Sequence, residues 1–341
     1  MKLIESIATY TGESRRRMEQ ILNDDVKVMV AKIARNQEDA SIIDSSILIE
    51  LIEMDVFRYC DSKIKPNTAI FFEEDIKKLY TPIFAMGKDL ADIVKNTGDE
   101  LKNSSPNIRN FIGSIMGMGQ GLHAALKNMN LATNWQNKTG KYEKSKVDFN
   151  QQCEAYNCFG EDLQIKRMHR GRTYTSVVIG PGNDDYCSYL WNVKKAVTTN
   201  GTLDFYNNLV TYLTDTIPLL VTGSIHDESL MKVAQISNID VGDITSVISV
   251  EDAQKYQYII NKISKACKEY IISNMDYIQE LLRSTIVGQQ GVPPESMMMN
   301  FWRFLRRAVA INLYKNGFLN DKVPTNGTIT IFYDNKIDYF G

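Results

Sequence analysis

Two adjacent aspartates, three basic clusters and three histidines are the residues of this chain whose types and spacing could do chemistry. Gln164 to Tyr174 carries Lys166, Arg167, Arg170 and Arg172 with no acid among them. Arg303, Arg306 and Arg307 stand at i, i+3 and i+4, which puts all three on one side of a helix. Arg15-Arg16-Arg17 is the third cluster. Guanidinium and ammonium groups gathered in this way suit an anionic polymer, and Phe301, Trp302 and Phe304 beside Arg303 add rings of the kind that stack on bases. The expected nucleic-acid-binding residues are therefore Lys166, Arg167, Arg170, Arg172, Arg303, Arg306 and Arg307. Each cluster also has a plainer reading as a solvated face, and the three aromatics as core. Acidic residues are segregated elsewhere: Glu38, Asp39, Asp44, Glu50, Glu53, Asp55 and Asp61 meet only Arg58 in their stretch. Facing charges of this kind also suit contact between copies of the chain.

Catalytic constellations are harder to assemble. His123, His169 and His226 are the whole supply of histidine. Cys153 and Cys158 have no second pair to complete a zinc site, and no metal or other cofactor is expected. His226-Asp227-Glu228 falls where a helix is expected to start, a position at which acids complement the helix dipole. The sequence contains no GxSxG, HExxH or CxxC motif. Asn183-Asp184-Asp185, between two apolar runs, is rich in turn formers and reads as a hairpin loop.

The same aspartates carry one resemblance. Met116-Gly117-Met118-Gly119-Gln120-Gly121-Leu122-His123 resembles the glycine-containing motif B helix of RNA-dependent RNA polymerases from segmented negative-strand viruses. Asn183-Asp184-Asp185 is similar to their motif C turn. The resemblance covers two short patches and implies an enzyme of nucleic-acid metabolism, with Asp184 and Asp185 as magnesium ligands. An upstream motif A aspartate is not found. The balance of motifs points away from an enzyme.

The glycines have a second reading. Gly113, Gly117, Gly121 and Ala125 lie four apart, so on one helix they form a smooth stripe that admits another backbone. The alternative is a mobile segment whose N-H groups meet phosphate.

The elements that must position these residues are mixed. The first 135 residues read as helices over Arg15 to Leu22, Val26 to Arg35, Ile42 to Phe57, Lys88 to Val94 and Pro106 to Ala132, punctuated by Pro66, Pro82 and Gly98. A polar linker follows over 136–150. Residues 151–248 form a β-rich region: Thr173 to Ile179 and Tyr186 to Val193 make a hairpin, and Asn200-Gly201 marks another tight turn. From 249 the helical period resumes, with one helix opened by Pro293-Pro294 and closed at Asn316-Gly317. A terminal hairpin pairs Thr328 to Tyr333 with Lys336 to Phe340. The expected fold is α+β and predominantly α: a helical lobe over 1–135, a central antiparallel β region, and a helical lobe over 249–341.

Composition bounds the function. The 341 residues hold 39 Lys plus Arg against 41 Asp plus Glu, a net charge of -2, which excludes a polycation that binds nucleic acid by bulk charge. With 43% hydrophobic residues the chain can bury a core. No run of apolar residues is long enough to span a membrane, and the amino terminus does not read as a signal peptide, so no membrane partner is expected. Five scattered cysteines fit a reducing interior, and the expected location is intracellular or a virion. Abundant Asn, Ile, Lys, Tyr and Met fit an AT-rich genome such as viruses and phages have. Together these features predict a non-catalytic, self-assembling structural protein of virus or phage type, or a nucleoprotein that sheathes RNA.

Overall fold

The computed structural model describes residues 2–8, 12–104, 106–109, 112–113, 117–129, 146–157, 164–170, 175–180, 188–191, 244–248, 250–319 and 328–332. The fold is α+β and mainly helical. It divides into two compact units, each built from three separate stretches of chain. The first comprises Met1–Met86, Ala125–Phe159 and Ile271–Ala308; the second comprises Gly87–Ala124, Gly160–Tyr270 and Val309–Gly341. Among the described residues, no helix is long and apolar enough to cross a membrane.

The chain begins with β1 (Leu3–Ala8), then α1 (Gly12–Ile21) and α2 (Asp24–Ala34). Asn23 caps α2 by accepting from Val26 N at 3.0 Å, and Val26, Val30 and Ile33 bury its apolar face. The helix expected over Ile42 to Phe57 is broken into a short 3-10 turn (Ala40–Ile42), α3 (Ser45–Glu53) and β2 (Phe57–Cys60). Two local features account for the breaks: Asp44 caps α3 through Ser46 N at 2.8 Å, and Asp55 takes a left-handed φ of 61° that no helix continues through. β3 (Lys63–Pro66) returns antiparallel to β2 through Asp61-Ser62, both with positive φ (49° and 62°), a tight turn built without glycine.

β4 (Ile70–Phe71) leads into α4 (Glu73–Thr97), which runs straight through Pro82. Pro82 was expected as punctuation. An unbroken buried series, Ile76, Leu79, Ile83, Met86, Leu90 and Val94, outweighs the roughly 3 kcal/mol that an internal proline costs. Asp75, buried in the first turn of α4, reaches back to accept from Phe72 N at 3.2 Å. Its other oxygen accepts from Ile286 N at 2.9 Å.

After α4 and a 3-10 turn (Asp99–Leu101), the described residues within the helix expected from Pro106 to Ala132 form α5 (Pro106–Arg109), wider π-type turns at residues 112–113 and 117–118, and α6 (Gly119–Asn128). π-type turns interrupt helices where their backbone is permissive, as a run of glycines makes it. β5 (Lys146–Gln151) follows, and it is the central strand of a three-stranded sheet ordered β1-β5-β4. β1 lies antiparallel to it, with Leu3 opposite Gln151, and β4 parallel, with Ile70 opposite Phe149. A single turn, α7 (Glu154–Asn157), comes next.

The second unit contains a five-stranded sheet. β6 (Gln164–Arg170), β7 (Thr175–Gly180), β8 (Ser188–Trp191), β9 (Ile244–Ile248) and the late strand β10 (Thr328–Phe332) are ordered β6-β7-β8-β10-β9. β7 and β8 form the expected antiparallel pair. The helical series then runs α8 (Val250–Ser273), α9 (Met275–Arg283), α10 (Ile286–Gln289) and α11 (Pro294–Lys315). Gly317, at φ +75°, closes α11 as expected.

The terminal strand, β10 (Thr328–Phe332), departs from the expected hairpin. It lies parallel to both β8 and β9 and fills the position between them, so both its edges are occupied by strands of its own chain. The central sheet is thus mixed rather than purely antiparallel. The expected return strand, Lys336 to Phe340, lies outside the described residues, as does the Asn200-Gly201 turn.

Candidate nucleic-acid interface

In the first unit, α11 carries Asn300, Arg303 and Arg307 at i, i+3 and i+7, a spacing that aligns them along one face. β5 carries Asp148 and Asn150 two apart, on one face of the strand. The two polar rows meet in the interior. Asn150 and Asn300 exchange side-chain hydrogen bonds at 2.9 and 3.0 Å, and both are buried. Thr68 donates to Asp148 Oδ1 at 3.0 Å and also contacts the Val147 carbonyl. Asp148 is wholly buried, and its charge favours the cationic form of Arg303. Burial still pulls the Arg303 guanidinium below its usual range, and the Arg307 charge adds to that pull. Nη1 of Arg303 is buried with no hydrogen-bond partner among the described residues.

Arg307 is only 4% exposed. Its guanidinium lies 5.6 Å from the centre of the Tyr156 ring, a cation–π contact. Tyr156 meets Phe304 edge-on at 5.9 Å, and Phe304 stacks on Phe71 at 6.0 Å. Arg306 is half-exposed. Of the three arginines expected to face an anionic partner, Arg307 is corrected: it is buried over Tyr156 and cannot reach a phosphate. Arg303 and Arg306 are partly exposed. Phe301 and Phe304 are core, not stacking platforms.

The other cluster has a different placement. Lys166, Arg167 and Arg170 lie on β6, which pairs only with β7 among the described strands and so forms an edge of the five-stranded sheet. Arg167 stands opposite Val178 and Arg170 opposite Thr175. The register shifts between Ile165 and Arg167, so Lys166 sits at a bulge. Cations on an edge strand discourage edge-to-edge pairing and also offer a row of phosphate ligands. Arg172 lies outside the described residues, as do Asp184, Asp185, Cys158 and His226. Arg15, Arg16 and Arg17 lie on α1, with Arg17 half-buried.

The remaining candidates resolve into structural roles. The smooth stripe is a packing face: a Cβ on Gly113 would stand 2.8 Å from the Phe318 ring, one on Gly117 2.8 Å from Ile263, and one on Gly121 would collide with the Ser264 carbonyl. Cys267, beside Gly121, is buried and its thiol is pushed up to about 12 by desolvation, which makes it inert. Several acids of the 38–61 stretch are caps or pairs. Asp39 accepts from Ser41 N at 2.7 Å, and the Asp39 and Asp44 carboxyls are held below their usual range by hydrogen bonds from Ser41 and Ser46. His123 is exposed on α6, and His169 lies on β6 opposite Ser176. Among the described residues no group of three or more His, Cys, Asp or Glu could hold a metal ion.

The polar seam of Thr68, Asp148, Asn150 and Asn300 was not anticipated. Its only trace in the sequence is the alternation Asp148-Phe149-Asn150, which a polar linker hides. Comparison with protein-family models, curated proteins and solved structures finds no match to this chain.

Proposed function

We propose that this chain is a non-catalytic structural protein of the virus or phage type, which assembles with copies of itself and binds single-stranded RNA as a nucleoprotein. The observation that supports this reading is the placement of Lys166, Arg167 and Arg170 on an edge strand, where no further described strand covers them. An edge that carries cations and no acid is ill-suited to pairing with another strand and well suited to following a phosphate backbone. Burial of Arg307 on α11 removes one of the competing cations and gives β6 the larger share of the RNA contact within this reading.

The test is size-exclusion chromatography with light scattering, before and after nuclease, beside binding of a labelled uridine oligonucleotide across a salt series. Large assemblies that lose mass with nuclease are the expected outcome. Replacing Lys166, Arg167, Arg170 and Arg172 by Glu removes as many as four phosphate contacts and flattens the log–log salt slope by roughly 0.7 per contact. A monomeric wild type that binds no RNA at low salt overturns the proposal.

A further inference from the structure

α8 presents two unlike faces. On one, Ile259, Ile260, Ile263 and Cys267 are buried, and the glycine stripe presses against Ile263 and Ser264. On the other, Lys255, Tyr258, Lys262 and Lys265 follow i, i+3, i+7 and i+10 and are all exposed. Tyr258 is 62% exposed, so its ring is open to a partner. Lys268, half-buried, extends the cations by one more turn. From Lys255 to Lys268 the row spans about 20 Å at 1.5 Å per residue, enough for about three nucleotides of an extended strand.

We propose that this face of α8 is a second binding surface for single-stranded RNA, on which Tyr258 stacks a base while Lys255, Lys262 and Lys265 hold the flanking phosphates. The proposal rests on the RNA-binding reading given above for β6 and adds the residue that touches a base. Single-strand binders combine a cationic track with an aromatic platform, because every base has a π-face and every nucleotide a charge. The platform must be rigid, and the close seating of Gly117 and Gly121 on the opposite side of α8 holds it so. Lys262 is engaged by Glu100 at 3.0 Å, with Asp99 also near, and both side chains of the pair are nearly half exposed. Water and salt screen an ion pair at the surface, so a phosphate can displace Glu100. Glu269 ends the basic row on its carboxy-terminal side.

The experiment is fluorescence anisotropy of a labelled twelve-nucleotide uridine RNA with the full chain, with far-ultraviolet circular dichroism to check each fold. Tyr258→Ala is expected to weaken binding at least five-fold, and Tyr258→Phe to restore it, since stacking needs the ring and not the hydroxyl. Lys255→Gln with Lys262→Gln and Lys265→Gln is expected to lower the salt slope by about 2. Loss of binding on reversing the β6 charges, with no effect of either α8 variant, overturns this inference and leaves the RNA reading standing. No binding by wild type overturns both. Equal displacement of the RNA by polyglutamate, with Tyr258→Ala without effect, assigns the face to an acidic protein and overturns the inference.

Discussion

The basic row of α11 and the basic row of α8 have nearly the same helical spacing and opposite fates. Arg307 is buried over Tyr156 and Arg303 is partly buried with the Asp148 charge favouring its cation, whereas Lys255, although its ammonium lies 5.8 Å from the Tyr256 ring, and Lys265 stay exposed. Side-chain chemistry accounts for much of the difference. A guanidinium is planar, weakly hydrated and able to stack, so it tolerates an interior with one carboxylate and one ring; an ammonium is a strongly hydrated point charge. A cluster of arginines beside phenylalanines in a sequence is therefore poor evidence for a surface. A cluster of lysines is better evidence for one.

The sharpest way to break this comparison is to remove the anion that keeps the interior cation in place. Asp148→Ala removes the charge that favours the Arg303 cation beside Arg307 and leaves the buried Thr68 hydroxyl without one acceptor, so a loss of about 1–3 kcal/mol is expected in urea unfolding. A change under about 1 kcal/mol would mean that water, not Asp148, serves the guanidinium.

The buried side of α8 is tested by Gly117→Leu. A side chain there must displace Ile263, whose Cβ lies 2.8 Å from the position a new Cβ would take. Overpacking costs about 1–3 kcal/mol, more than the roughly 1 kcal/mol that replacing a helical glycine returns, so a lower melting temperature is expected. An unchanged one would show that the glycines are a mobile segment after all.

How much of this was legible beforehand follows from the range of each interaction. Local signals carried well: the β7–β8 pair across a turn-rich loop, Gly317 as a helix stop, and the spacing of Gly113, Gly117 and Gly121 as a packing stripe. Signals that depend on distant partners did not. Pro82 reads as a break until Ile76, Leu79 and Ile83 are seen to be buried together. β10 reads as half of a hairpin because the strand that could complete it follows directly, while its actual neighbours, β8 and β9, come from far upstream. The seam joining Asp148 and Asn150 to Asn300 and Arg303 spans about half the chain, and neither side alone distinguishes a linker from a core strand.

A buried carboxyl whose neighbouring cation, Arg35, is paired with Glu74 makes a subtler contrast with Asp148. Asp75 accepts from Phe72 N and Ile286 N, which favour its charged form, yet desolvation dominates and raises its pKa, with Glu74 adding to the rise and Arg35 opposing it. The folded chain therefore holds this proton more tightly than the unfolded chain does. Its contribution to stability is greatest below the ordinary aspartate value of 3.8 and falls as pH rises through the raised folded value. Asp75→Asn removes that slope, read as the wild-type-minus-variant difference in unfolding free energy from pH 3 to 7. A difference that grows with pH would reverse the assignment.

The smallest expected effect bears on the outward row itself. Lys255→Ala with Lys265→Ala removes two exposed ammonium groups, neither of which has an ion pair among the described residues, and α8 keeps its entire buried face. Surface substitutions of this kind usually stay within about 0.5 kcal/mol, and alanine is the better helix former, so the unfolding free energy should be unchanged. RNA affinity at low salt should nevertheless fall, because the lost charges act on a partner and not on the fold. Stability that drops along with affinity would place Lys255 and Lys265 in the same class as Arg303 and Arg307, and the distinction between the two helices would collapse.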